Sequence, residues 1–426
     1  MNEAFLQYVW RHQLLQGREF TSTDGRALRI VRQGELNHDA GPDFFNARVA
    51  IDGVEWVGNI EVHVRTSDWN AHHHSQDKAY NNIVLHIVYE HDAEITLQSG
   101  KRPVTLELKR YIDPTLIECY DSLMQAEDQT IACADRVGEM PRFIVDGWLE
   151  RLTVERIEGK AEVVRRLLDE SHGGWEQTCY WLLARYFGGR VNALAFELLA
   201  KVTDQRLLAR WKDNPQRLEA LLMGQAGLLD GYFADEYPRQ LQADYEAISV
   251  GARLKPIDGY LWKFYRVRPS SFPTIRISQF ARLVSNSTSL FSTLLGMTDA
   301  AQIAALFNQT AAEYWDSHYR FDQPSPMHPK SVGRAQAEML VINAWVPLLF
   351  VYGTVHGQQH YKDQAIDLLN QLPGENNNII RQWKAYGIAA DNAARSQALL
   401  QLHNNYCQNH RCLDCSVGYH IIKRKK

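Results

Sequence analysis

The chain has 426 residues, 45% of them hydrophobic and 23% charged, with a formal net charge of −4. These proportions exclude a largely disordered or fibrous chain, and the charge balance excludes a globally basic nucleic-acid binder, so any basic surface is local. The length exceeds what one hydrophobic core usually serves, and two or three domains are expected.

The opening MNEAFLQYVWRHQLLQ carries charges where a signal peptide needs an apolar stretch. No apolar run looks long enough to cross a bilayer, so a cytoplasmic protein without a membrane partner is expected. Phe5, Leu6, Val9, Trp10 and Leu14 recur at helical spacing, which predicts a helix over Glu3 to Leu15 before Gly17. After the Thr23-Asp24-Gly25 turn come Leu28 to Val31, Phe45 to Ile51, the Asp52-Gly53 turn, and Val54 to Val64. These runs are β-branched and aromatic and are bounded by turn residues, which predicts three strands joined as a meander. Asp68 is positioned to cap a helical stretch through Tyr80, and the apolar run Ile83 to Tyr89 reads as a buried strand. Val104 to Leu108 reads as another.

From about Pro141 onward, segments such as WEQTCYWLLARYF, ALAFELLAKV and EMLVINAWVPLLFVYG carry helical apolar spacing, separated by Gly, Pro and Asn clusters and without a fixed repeat. The expected class is therefore α+β: an N-terminal mixed β-sheet core flanked by helices, followed by a large all-α region. The expected domains are 1–135, a helical 136–400, and a cysteine-containing segment 401–426.

The densest polar chemistry lies in GELNHDAGPDFFNARVAIDGVEWVGNIEVHVRTSDW. Glu61 and His63 stand two apart on a strand and so share a face, and pairing through the Asp52-Gly53 turn brings Asp43 near them. Paired carboxylates suit Mg²⁺, whose bound water is acidified for phosphodiester hydrolysis. The competing structural reading makes Asp43 a turn residue and puts Glu61 and His63 on a solvated strand face. Glu35, Asn37 and Asp39 are possible additions from the loop before Asp43. His72, His73, His74 and His86, with Asp77, form a rival set that suits zinc or iron acting on a small molecule.

Pro42-Asp43 followed by Glu61-Val62-His63 resembles the PD-(D/E)xK nuclease signature with His63 in place of its lysine. The order of helix, three strands, helix and strand resembles that superfamily's restriction-endonuclease-like core. Gln76-Asp77-Lys78-Ala79-Tyr80 is similar to the Q-x-x-x-Y helix of its RecB-like branch. The resemblance covers roughly residues 1 to 110. It implies a Mg²⁺-dependent nuclease with Asp43 and Glu61 as ligands, His63 near the attacking water, Gln76 and Tyr80 nearby, and nucleic acid as partner. A scaffold that kept this fold and lost the chemistry is the alternative. Through GPDF, IEVHVRTSDW, MGQAGLL, RPSSFPTIR and the closing cysteines, the whole chain also resembles a bacterial family known only as a domain of unknown function, which implies no activity.

Cys407-x4-Cys412-x2-Cys415 has the spacing of a thiolate site for zinc or an iron-sulfur cluster, both of which want four ligands. Cys133 is the expected fourth, with Cys119 or His410 as substitutes. Arg266, Arg268 and Arg276 alternate with aromatic residues as a groove for a phosphate backbone would, or as a helix connector would.

Overall fold

A computed structural model describes residues 1–125, 130–252, 254–287 and 289–423. The class is α+β, with a mixed sheet near the N-terminus and a large helical region after it. The chain divides into two compact units, residues 1–148 with 402–426, and residues 149–401.

The first unit begins with α1 (Glu3–Arg11), started by the Asn2 side chain, which accepts the Phe5 N–H at 3.0 Å. The helix stops earlier than its apolar spacing suggests, because Gln13 turns left-handed at φ 50°. Its inward stripe of Phe5, Leu6, Tyr8, Val9 and Trp10 is buried.

Seven strands follow: β1 (Glu19–Thr21), β2 (Ala27–Arg32), β3 (Glu35–Leu36), β4 (Phe44–Ile51), β5 (Val54–Arg65), β6 (Ile83–Glu90) and β7 (Val104–Glu107). Their order is β1-β2-β4-β5-β6-β7, with β3 pairing β4 off this path. The meander β2-β4-β5 is antiparallel, as expected, while β1 and β3 are too short for alternation to reveal them. Asp52 and Gly53 both take positive φ, 49° and 82°, the primed turn whose twist suits a two-residue hairpin. The hairpin register pairs Phe44 with Ile60 and so sets Asp43 beside Glu61. β6 lies parallel to both β5 and β7, and this enclosed position explains its buried Ile83, Leu85, His86, Ile87 and Val88.

The connection from β5 to β6 differs from the expected helix through Tyr80. Helix α2 covers only Asp68–Ala71, because His73 turns left-handed at φ 61° and two short 3₁₀ turns follow, His74–Gln76 and Lys78–Asn82. Asp68 does not cap it from outside; its Oδ2 accepts the Arg65 N–H at 2.8 Å. Helix α3 (Pro114–Met124) and a C-terminal helix, Ser416–Lys423, complete the unit, with Phe5 stacked on Tyr120 and His12 against Tyr419.

In the second unit helices such as Trp175–Phe187, Gly189–Val202, Pro215–Gln225 and Pro273–Ser285 enclose one apolar core. Among the described residues its strands are His318–Arg320 and Gln323–Pro324. Contrary to expectation, one helix, Arg334–Val355, is long and apolar enough to cross a membrane, with a hydropathy of 1.5; 67% of that stretch is buried inside the protein. A buried core helix passes the same test of length and composition. The basic cluster is also corrected: Arg276 is buried, bonds Gln279 at 3.0 Å and Ser271 at 3.3 Å, and burial lowers its pKa to about 10. Arg266 and Arg268 are exposed, so Arg276 is not part of a phosphate-binding surface with them.

Candidate metal centre

Glu61 and His63 project from one face of β5 and are 5% and 0% exposed, which overturns the reading of that face as solvated. The hairpin delivers Asp43 to their side. The Val62 N–H donates to Asp43 Oδ2 at 2.8 Å, the Asp43 N–H donates to Glu61 Oε2 at 3.2 Å, and Gln7 Nε2 donates to Asp43 Oδ1 at 2.8 Å. Each carboxylate is thus fixed by the backbone beside the other. Of the loop residues before Asp43, Asn37 braces the turn, donating to the Pro42 carbonyl at 3.1 Å and accepting from the Asp39 N–H at 2.9 Å. Glu35 pairs with Arg32 on the surface.

The early break in α2 is what moves the histidines inward. His72 Nδ1 lies 3.1 Å from His63 Nε2, and His74 Nε2 lies 3.3 Å from Glu61 Oε1. One ligand nitrogen from each of His63, His72 and His74 lies within 4.8 Å of the others. His63 Nε2 is 3.8 Å from Glu61 Oε1. His86, in register with Glu61 on β6, shares a 2.9 Å hydrogen bond between its Nε2 and His63 Nδ1. Trp69 walls the cluster, with ring centroids 5.2 Å from both His74 and His86, and Tyr80 stacks on His74 at 3.9 Å.

Asp43, Glu61, His63 and Tyr80 therefore come together, as do His72, His74 and His86 from the rival set. Gln76 is exposed on the outer side of its turn, His73 is exposed, and Asp77 caps the next turn through the Ala79 N–H at 2.8 Å. Gln7 had no signal in the sequence beyond its place in an amphipathic helix. The convergence of His72 with His74 required the left-handed His73, which a run of three histidines does not announce.

Burial, and then the neighbouring carboxylate, raises the Asp43 pKa, and burial raises that of Glu61. Two buried carboxyls side by side resist joint ionisation unless a cation shares them. Burial together with the adjacent imidazoles pushes His63 down to about 2, and burial pushes His86 down to about 3. His74 is lowered by burial as well. These imidazoles are neutral at physiological pH, the form that binds metals. His74 Nε2 and His86 Nδ1 are buried without a hydrogen-bond partner, and the former faces Glu61. An imidazole nitrogen left bare beside a carboxylate oxygen is a donor set a divalent transition metal fits.

Next to this site a cavity of about 380 Å³ is lined by Gln7, the partner of Asp43, and by Arg11, His38, His410 and Arg411. Arg411 is tied to Asp414 at 3.0 Å. Cys133, Cys407, Cys412 and Cys415 lie in the same unit.

Residues 3–378 match the family model described as "Protein of unknown function (DUF2851)", and the chain belongs to that family. The matched span ends before the three closing cysteines. No curated protein and no solved structure matches the chain.

Proposed function

We propose that this DUF2851 member is a metal-dependent hydrolase of phosphodiesters whose centre is built by Glu61, His63, His72 and His74, with Asp43 holding Glu61 in place. The observation that carries the reading is the convergence of three histidine nitrogens within 4.8 Å beside the Glu61 carboxylate. Three imidazoles and a carboxylate favour zinc, manganese or iron over magnesium, which prefers oxygen ligands. When bound, such an ion supplies an acidified water and a positive charge for the phosphoryl oxygens.

The chain's own groups have separable tasks. Asp43 orients Glu61 through the paired backbone bonds, and His86 fixes the ring of His63 from behind, the usual role of a hydrogen bond to a ligating imidazole. Burial and the adjacent imidazoles keep His63 neutral, the form that ligates a metal. His72 stands at the exposed edge, so the centre opens to solvent on that side. Phosphodiesters are supported by the order α1, antiparallel β2-β4-β5, crossover and parallel β6, which resembles the PD-(D/E)xK core, and by Arg11, His38 and His410 along the adjoining cavity.

A second reading, Mg²⁺ held by Asp43 and Glu61 alone, is favoured by the reciprocal bonds that lock those two carboxylates together. Cleavage of plasmid and single-stranded substrates with Mn²⁺, Zn²⁺ or Mg²⁺, wild type against Glu61→Gln, tests both and ranks the metals. Wild-type cleavage lost in the variant is expected. Equal cleavage by the two proteins removes Glu61 from the reaction, and no cleavage by either leaves a binding scaffold with this fold.

A further inference from the structure

We infer that Cys133, Cys407, Cys412 and Cys415 form a second metal centre, a four-thiolate site for zinc or an iron-sulfur cluster that ties the C-terminal segment to the loop before α4 (Ala134–Val137). It stands apart from the Glu61 site and from any reading of that site.

All four thiols belong to one unit and none is in a disulfide. Cys133 occupies the N-cap of α4, and the other three come from a compact turn. A wide-turned helix ends at Cys407, His410 reverses the chain at φ 50°, and the 3₁₀ turn Cys412–Asp414 passes to Cys415, whose N–H donates to the Cys412 carbonyl at 3.3 Å. A Cβ on Gly418 would lie 2.1 Å from that same carbonyl oxygen, so the turn closes against the following helix and only glycine fits there. Cys412 and Cys415 are thereby fixed as a pair.

The surroundings of Cys415 point to a ligand. Its sulfur is buried and accepts from the Val417 and Gly418 N–H groups. Two backbone donors aimed at one sulfur suit a thiolate, whereas a neutral thiol is a weak acceptor. Cys407 lies within electrostatic reach of Cys133, Cys412 and Cys415, and Cys133 within reach of Cys412 and Cys415, which places the four side chains near one another. Cys415 is buried and Cys133, Cys407 and Cys412 are half-buried, and a thiophilic cation shared by the four would satisfy both the sulfurs and the donors around Cys415. The remaining cysteines lie elsewhere: Cys119 on α3, and Cys179 buried in the second unit.

The full chain, purified without oxygen, is assayed for zinc, iron and acid-labile sulfide and for visible absorbance. Iron with sulfide and broad visible absorbance identifies a cluster, and colourless zinc that a Glu61→Gln/His74→Ala variant retains identifies a single ion; either supports the proposal. Cys412→Ser and Cys415→Ser are expected to lose that centre, while Cys119→Ser keeps it. A wild-type protein carrying neither, or one whose iron, sulfide and zinc equivalents are all unchanged by Cys412→Ser, overturns it. Should the serine variants fold poorly, X-ray absorption on the wild type decides: sulfur neighbours around the metal are expected, and only nitrogen and oxygen neighbours would contradict the site.

Discussion

His74 Nε2 faces Glu61 Oε1 at 3.3 Å and is buried, yet makes no hydrogen bond to it. A buried polar nitrogen without a partner is costly unless something else completes it, and here the missing atom is assigned to a metal ion. His74→Ala should weaken zinc or manganese binding by at least about tenfold in calorimetric titration. The exposed neighbour His73 provides the control, and His73→Ala should bind as wild type does.

Removing His86 strands a buried nitrogen of His63, its 2.9 Å partner. His86→Ala should cost on the order of 1–3 kcal/mol of stability in denaturant unfolding, the usual penalty for such a loss. It should also weaken metal binding by about 10- to 100-fold, because the His63 ring is no longer held.

The paired carboxylates of the metal-free protein should contribute less to stability as pH rises from 6.5 towards 8. The raised pKa values of Asp43 and Glu61 mean that the folded state binds more protons than the unfolded state above the ordinary carboxylate range, so that contribution falls as pH rises. His63 and His86 are lowered and act in the opposite sense, but only below about 6.5, where unfolded histidines are charged. Above that pH Lys160, lowered to about 7 by burial, opposes the carboxylates, so their share is read as the difference between wild type and Glu61→Gln. Urea unfolding at pH 6.5 and 8 should show stability falling further, relative to pH 6.5, in wild type than in Glu61→Gln, and added metal should abolish that difference.

A stability change unrelated to metal is expected in the second unit. Glu219 is buried and accepts hydrogen bonds from Ser278 Oγ and Trp315 Nε1, each at 2.7 Å. Glu219→Ala strands both donors and should cost about 2–4 kcal/mol, with the metal content unchanged.

The fold was largely legible in period and turn chemistry. Asp52-Gly53 marked the hairpin, the β-branched run 83–89 marked the buried parallel strand, and Glu61 and His63 shared a face by alternation alone. What stayed hidden depended on single backbone angles and on burial. The left-handed His73 ends the helix that would have put Gln76 and Tyr80 on one face, and it turns His72 and His74 toward the carboxylate instead. Helical spacing likewise could not tell that Arg276 points into the core, since basic residues at a helix start look alike whether exposed or buried.

Metal content of the purified protein beside that of the Glu61→Gln/His74→Ala double variant tests the central claim most directly, because the two proteins share every cysteine. The variant should contain one equivalent less of a divalent transition metal. Identical metal content in both would contradict a centre at Glu61 and the histidines around it.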